Sequence, residues 1–170
     1  SIRMEPVLLG AKAAAIAHDK AVNCAAIAPN LTLGATCSGD RTARLWRLPD
    51  LIPAGTIRGH KRGVWAVAFS PTDRIIATAG GDKFIKLWSC DPNAGVQSSC
   101  LRTLEGHTAA VLTLRFISSG TQIVSTGSDG LLVLWGVRTG AAVATLDGHD
   151  DKAWALASDA DGDVLATGGA

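Results

Sequence analysis

Residues 106–135 read GHTAAVLTLRFISSGTQIVSTGSDGLLVLW, and inside them stand His107, Ser125 and Asp129, with Trp135 at the end. Histidine, serine and aspartate are the residue types of a hydrolytic triad, in which the aspartate orients a histidine that takes the serine proton. The spacing points elsewhere, because the same residues recur in phase. Four histidines stand at His18, His60, His107 and His149, in steps of 42, 47 and 42 residues. A hydroxyl residue follows each at 18 residues: Thr36, Thr78, Ser125 and Thr167. After the first three histidines an aspartate follows at 22 (Asp40, Asp82, Asp129) and a tryptophan at 28 (Trp46, Trp88, Trp135). Glycine precedes three of the four, at Gly59, Gly106 and Gly148. An enzyme needs one such set in one cleft, whereas a set repeated at fixed spacing belongs to a repeating structural unit.

Between the markers the sequence alternates with the period of a strand. VWAVAFS (64–70) and VLTLRFI (111–117) read as first strands, IIATAG (75–80) and QIVSTG (122–127) as second strands, and FIKLW (84–88) and LLVLW (131–135) as third strands. CLRTLEG (100–106) and AAVATLDG (141–148) read as fourth strands that lead to the next Gly-His. Turn residues separate them, SPTD and SSGT after the first strand and GGDK and GSDG after the second. Each unit is therefore four short antiparallel strands.

A unit with Gly-His near its start and Trp near its end resembles the WD repeat, one blade of a β-propeller. The resemblance runs from residue 14 to 170. It departs from the family name in one respect, since Trp is followed by Arg47, Ser89 and Gly136, never by Asp. What the resemblance implies is an all-β incomplete propeller. Its parts are a closing strand of a preceding blade in 1–17, repeats at 18–59, 60–106 and 107–148, and a truncated repeat at 149–170. It also implies that His, Ser/Thr, Asp and Trp of each repeat form a hydrogen-bonded tetrad inside the blade. The count is one strand before His18, three full blades and two further strands, or 1 + 12 + 2 = 15, which closes no ring of four to eight blades. Either the sequence is part of a longer protein that supplies the missing blades, or two copies close a ring as a homodimer. The seam would then pair the Val7 to Ile16 strand of one copy with the Val164 to Gly168 strand of the other, and a monomeric mass by light scattering would rule this out.

Two tryptophans lie outside the tetrad. Trp65 and Trp154 stand five residues after a histidine, and Asn23 and Leu112 occupy that slot in the other repeats. By resemblance the slot opens the first strand near the rim of the central channel, where aromatic side chains serve as partner anchors. Lys20, Lys61, Arg62 and Lys152 lie in the neighbouring loops and can pair with acidic or phosphate groups. The alternative is that both tryptophans pack against adjoining strands.

Composition excludes several classes. Sixteen basic against 15 acidic residues leave a net charge of +1, without the basic stripe of a primary RNA binder. The longest uncharged run, Ala21 to Gly39, is broken by Pro29 and Asn30, so no membrane span is expected. Cys24, Cys37, Cys90 and Cys100 show no CxxC spacing, so neither metal nor cofactor is expected and all four read as free thiols. Cys24 and Cys37 read as small core residues, and Cys90 and Cys100 flank a turn across which they could meet.

Longer strings carry a finer resemblance. AHDKAVNCAAIAPN, SGDRTARLWRLP, GHKRGVWAVAFSPTDRIIATAGGDKFIKLW, GTQIVSTGSDGLLVLW and DGHDDKAWAL are similar, in the same order, to the second propeller of a nucleolar, transducin-β-like branch of the WD-repeat family. The branch works in the small-subunit processome, which assembles on pre-ribosomal RNA and a guide small nucleolar RNA. The resemblance implies a non-catalytic scaffold in the nucleolus that joins other proteins and associates with both RNAs indirectly. The alternatives are a WD-repeat substrate adaptor of a cullin-type ubiquitin ligase, or a generic WD-repeat scaffold of another pathway, in the nucleus or cytoplasm. Of the cullin adaptor's Trp-Asp-x-Arg box only Trp135 and Arg138 are present, with Gly136 in place of Asp.

Overall fold

The computed structural model describes residues 16–90, 99–159, 162 and 164–169. Its fourteen strands fall into sheets in strict chain order. The first blade holds β1 (Val22–Ile27), β2 (Leu33–Ser38), β3 (Thr42–Arg47) and β4 (Ile52–Arg58). The second holds β5 (Val64–Phe69), β6 (Ile75–Gly80), β7 (Ile85–Ser89) and β8 (Cys100–Leu104). The third holds β9 (Val111–Ile117), β10 (Gln122–Gly127), β11 (Leu131–Gly136) and β12 (Ala142–Asp147). Only β13 (Ala153–Ser158) and β14 (Leu165–Gly169) form the fourth sheet. All pairings are antiparallel between sequence neighbours, and β1, β5, β9 and β13 stand side by side as the inner strands. This is an all-β, incomplete propeller with no closed ring. The strand expected over Val7 to Ile16 falls on residues outside the described ones, save Ile16, which is in no strand. The last strand begins one residue later than expected, at Leu165.

Why the second strands tolerate so little polarity is a matter of position. β6 and β10 are covered on both faces by neighbouring blades, so IIATAG and QIVSTG are buried almost throughout. Leu45, Ile57, Val64, Val67, Ile76 and Trp88 share one cluster between the first two blades. Ile85, Leu87, Leu104, Val111, Leu114, Ile123 and Trp135 fill the next. The third cluster is thinner, with Ile117, Val124, Leu132 and Leu156 at its heart. There β12 is exposed along its whole length, Val143 and Leu146 each to 59%. A cleft of about 340 Å³ opens between Leu132, Leu134 and Leu146 on one side and Leu165 on the other.

The turns between second and third strands repeat as faithfully as the strands. Each closes with a backbone bond, Arg41 N–H to Ser38 O, Lys83 N–H to Gly80 O and Gly130 N–H to Gly127 O, at 3.2–3.3 Å. Each then passes through a left-handed residue, Arg41, Lys83 or Gly130, at φ 73°, 77° and 75°. This is the three-residue hairpin geometry with a left-handed third position. It puts Asp40, Asp82 and Asp129 at the same corner of every blade.

Candidate functional site

Three times over, the turn aspartate faces the histidine that opens the repeat. His60 Nδ1 lies 2.9 Å from Asp82 Oδ1, its Nε2 lies 2.8 Å from Thr78 Oγ1, and Trp88 Nε1 donates to the same hydroxyl at 2.8 Å. In the third blade His107, Asp129, Ser125 and Trp135 repeat those links at 3.0, 2.8 and 2.8 Å. In the first, His18, Asp40, Thr36 and Trp46 do so at 2.9 Å throughout. An indole N–H can only donate and a carboxylate can only accept. The order is therefore Trp N–H to hydroxyl oxygen, hydroxyl hydrogen to His Nε2, and His Nδ1–H to Asp. The aspartate is itself held, taking the Lys61 N–H and Thr108 N–H at 2.8 Å in the second and third blades. In the fourth repeat His149 Nε2 stands 2.8 Å from Thr167 Oγ1.

Such a chain leaves Ser125 poorly placed for chemistry. Its hydroxyl is buried, takes the Trp135 N–H and faces His107, so a substrate carbonyl has no path to it. The fit is tight enough to dictate glycines. A Cβ at Gly59 or Gly106 would sit 2.8 or 2.9 Å from Cη2 of Trp88 or Trp135, whereas at Gly148 no described atom lies within 4 Å. A Cβ at Gly80 or Gly127 would fall within 3 Å of both the histidine Nδ1 and the aspartate. The first blade carries Ser38 there and is wired differently: Thr42 Oγ1 takes over Asp40 Oδ1 at 2.6 Å, and Ser38 Oγ bonds Lys20 O. Neither the glycine requirement nor the Thr42 link was read from the sequence, although Gly80, Gly127 and Gly169 recur in phase and could have signalled the first.

The variable slots share an unexpected geometry. On every inner strand the ladder register skips one residue: Asn23 on β1, Trp65 on β5, Leu112 on β9 and Trp154 on β13. Each is thus the extra residue of a β-bulge, which leaves the ladder and re-aims its side chain. Trp65 is 40% and Trp154 53% exposed, while their neighbours Val64, Ala66 and Ala153 are buried. Trp65 lies over the Gly81 turn beside Arg62, and Lys152 Nζ stands 5.7 Å from the centre of the Trp154 ring. Lys20, Lys61, Arg62 and Lys152 are exposed. Asn23 and Leu112 are half-buried, and Asn23 is committed inward, its amide donating to Val64 O at 2.7 Å and tying the first blade to the second. None of the four cysteines is in a disulfide; Cys100 sits exposed opposite Trp88, and Cys90 is buried.

Four units of this kind match the family model of the WD domain, G-beta repeat, at residues 12–47, 52–89, 98–136 and 140–170. The chain belongs to the WD-repeat family. Relatives include transducin beta-like protein 3 of Bos taurus, 53% identical over 62 residues, 36% of this chain and 8% of that protein. The human protein of that name is 52% identical over the same length. U3 small nucleolar RNA-associated protein 13 of Saccharomyces cerevisiae is 40% identical over 51 residues, 30% of this chain and 6% of its own length. The matched stretches thus cover less than a tenth of the length of these curated relatives.

The WD tetrads also set how this fold responds to acid. Burial pushes the His60 imidazole below its ordinary value, outweighing the opposing pull of Asp82. Burial alone would raise Asp82, Asp129 and Asp40, but the bonds from His60, His107 and, for Asp40, Thr42 and His18 outweigh it and hold all three carboxyls low. Every one of these folded values lies below the unfolded one. The unfolded chain therefore binds more protons as pH falls, and the stability these groups contribute is present at neutral pH and lost on acidification. The loss begins near the unfolded histidine value of about 6.5 and steepens near the unfolded aspartate value of about 4. Urea midpoints followed downward from neutral pH are expected to fall across that range; a flat or rising profile contradicts the tetrad electrostatics.

Proposed function

We propose that this chain is part of a non-catalytic protein-interaction scaffold in the small-subunit processome, acting in ribosomal RNA processing in the nucleolus. Partner proteins dock on the rim that carries Trp65, Trp154, Lys61, Arg62 and Lys152, with Asn23 and Leu112 at its half-buried positions. The observation that carries the reading is the bulge. Four equivalent inner-strand positions are turned out of the ladder, and two of them present exposed indoles beside cationic side chains. Aromatic anchors next to Lys and Arg suit a protein partner with an acidic, partly apolar segment. The resemblance of the longer strings to the processome branch supplies the assembly, and the name of the yeast relative agrees with it. Association with pre-ribosomal RNA and small nucleolar RNA then runs through those partners, as the near-neutral charge suggests.

The test is affinity purification of the full-length protein with identification of what accompanies it. Processome proteins are expected, and their recovery from the Trp65→Ala/Trp154→Ala double variant should drop at least tenfold with no change in melting temperature. Recovery of a cullin scaffold, or undiminished recovery by the double variant, overturns the reading.

A further inference from the structure

Cys24 in β1 and Cys37 in β2 are direct partners across the antiparallel ladder, next to the Asn23 bulge. Residues so placed share a face, with Cα atoms about 4.5–5.5 Å apart, inside the roughly 4.4–6.8 Å that a disulfide spans. Both are free thiols. They differ in reach. Cys37 is wholly buried in the cluster between the first two blades, whereas Cys24 is half-buried, its Sγ 3.8 Å from Val67 O on β5. The neighbouring Cys37 pulls the Cys24 thiol below its ordinary value against the opposing effect of burial, and Cys24 together with burial pushes Cys37 up. A reachable sulfur with raised thiolate character beside a buried resolving thiol is the arrangement in which oxidation stops at a disulfide.

We propose that Cys24 and Cys37 are a reversible oxidation site in the first blade, closed to a cross-strand disulfide by peroxide. The Cys24 thiolate attacks one peroxide oxygen, the O–O bond breaks, and hydroxide leaves, with Cys24 as the sulfenic acid. The Cys37 sulfur then attacks the Cys24 sulfur, the S–O bond breaks and water departs with the Cys37 proton as the S–S bond forms. Overall two thiols lose two protons and two electrons, and one hydrogen peroxide becomes two waters. Closure staples β1 to β2 and draws the Cys24 sulfur from the β5 carbonyl toward Cys37, so the oxidation state is felt at the seam between the first two blades. Cys100, exposed and opposite Trp88, has no such partner and serves as an internal reference.

The test uses the whole chain, hydrogen peroxide as oxidant and N-ethylmaleimide to trap free thiols. Trypsin leaves both cysteines in one peptide, Ala21 to Arg41. After peroxide that peptide should lack both adducts and be lighter by two hydrogens, and dithiothreitol should restore both. In Cys24→Ser, loss of the Cys37 thiol should slow roughly tenfold or more, since buried thiols are inert. In Cys37→Ser, Cys24 should run on to sulfinic acid for want of a resolving thiol. The proposal is overturned if wild-type Cys24 accumulates sulfinic acid while Cys37 still takes its adduct. It also fails if both thiols stay free at a peroxide dose that oxidises Cys100. Because the wild-type peptide is itself decisive, neither variant has to fold normally for the test to count.

Discussion

Replacing Trp88 with alanine is expected to remove about 3–5 kcal/mol of stability, the range for deleting a fully buried aromatic side chain. A domain of ordinary stability has only about 5–15 kcal/mol to lose, so this one change brings the chain close to unfolding. The size of the effect follows from where the ring lies. Trp88 is 1% exposed, packs in the cluster between the first and second blades, and covers Gly59 so closely that no Cβ fits there. Its blade is flanked on both sides by other four-stranded blades, so the hole has little room to collapse. Trp88→Phe keeps an aromatic ring but drops the N–H that Thr78 accepts, and should cost about 1–3 kcal/mol for the lost buried hydrogen bond and poorer fit. Trp154→Ala, which removes an indole 53% exposed, should leave the urea midpoint nearly unmoved. Equal losses at Trp88 and Trp154 would contradict the division of the tryptophans into blade core and rim.

That division was half legible in the sequence. Phase alone separates Trp46, Trp88 and Trp135 from Trp65 and Trp154, because a residue recurring with His, Ser/Thr and Asp has to serve the repeat. Strand order was legible for the same reason: each short run is bounded by turn residues, and neighbours in sequence pair in space. Bulges were not. A bulge adds one residue without altering composition, so VWAVAFS reads as plain alternation although Trp65 has left the ladder. Nor could phase reveal that Asn23 bonds the next blade, since that contact joins residues 41 positions apart through a carbonyl, which has no side-chain signature. The Cys24–Cys37 pairing escaped for a related reason. Two small residues in apolar runs look like core, and only the register puts them opposite each other with Cys24 half open to solvent.

Thr78→Val should prove nearly as damaging as Trp88→Ala, although it changes almost no volume. Thr78 is wholly buried, and its one hydroxyl accepts the Trp88 N–H and donates to His60 Nε2, both at 2.8 Å. Valine keeps the branched shape a strand favours but strands an indole donor and an imidazole acceptor where water does not reach. At about 1–3 kcal/mol for each of the two orphaned groups, the loss comes to roughly 2–6 kcal/mol. Thr78→Ser is the control, because the third blade makes the same links with Ser125. Losing one methyl should cost only about 1 kcal/mol. The ordering valine worse than serine is the reverse of what volume alone predicts, so urea midpoints of the two variants separate a hydrogen-bonded clasp from mere packing. The same reasoning gives a test of what His107, Ser125 and Asp129 are for. If His107, Ser125 and Asp129 served a reaction, Ser125→Ala would spare the fold and abolish turnover. As a clasp they predict a fall in stability of about 2–6 kcal/mol from that substitution, since it orphans the Trp135 N–H and His107 Nε2 together, with faster hydrogen exchange at the Trp135 indole N–H, which no longer has an acceptor.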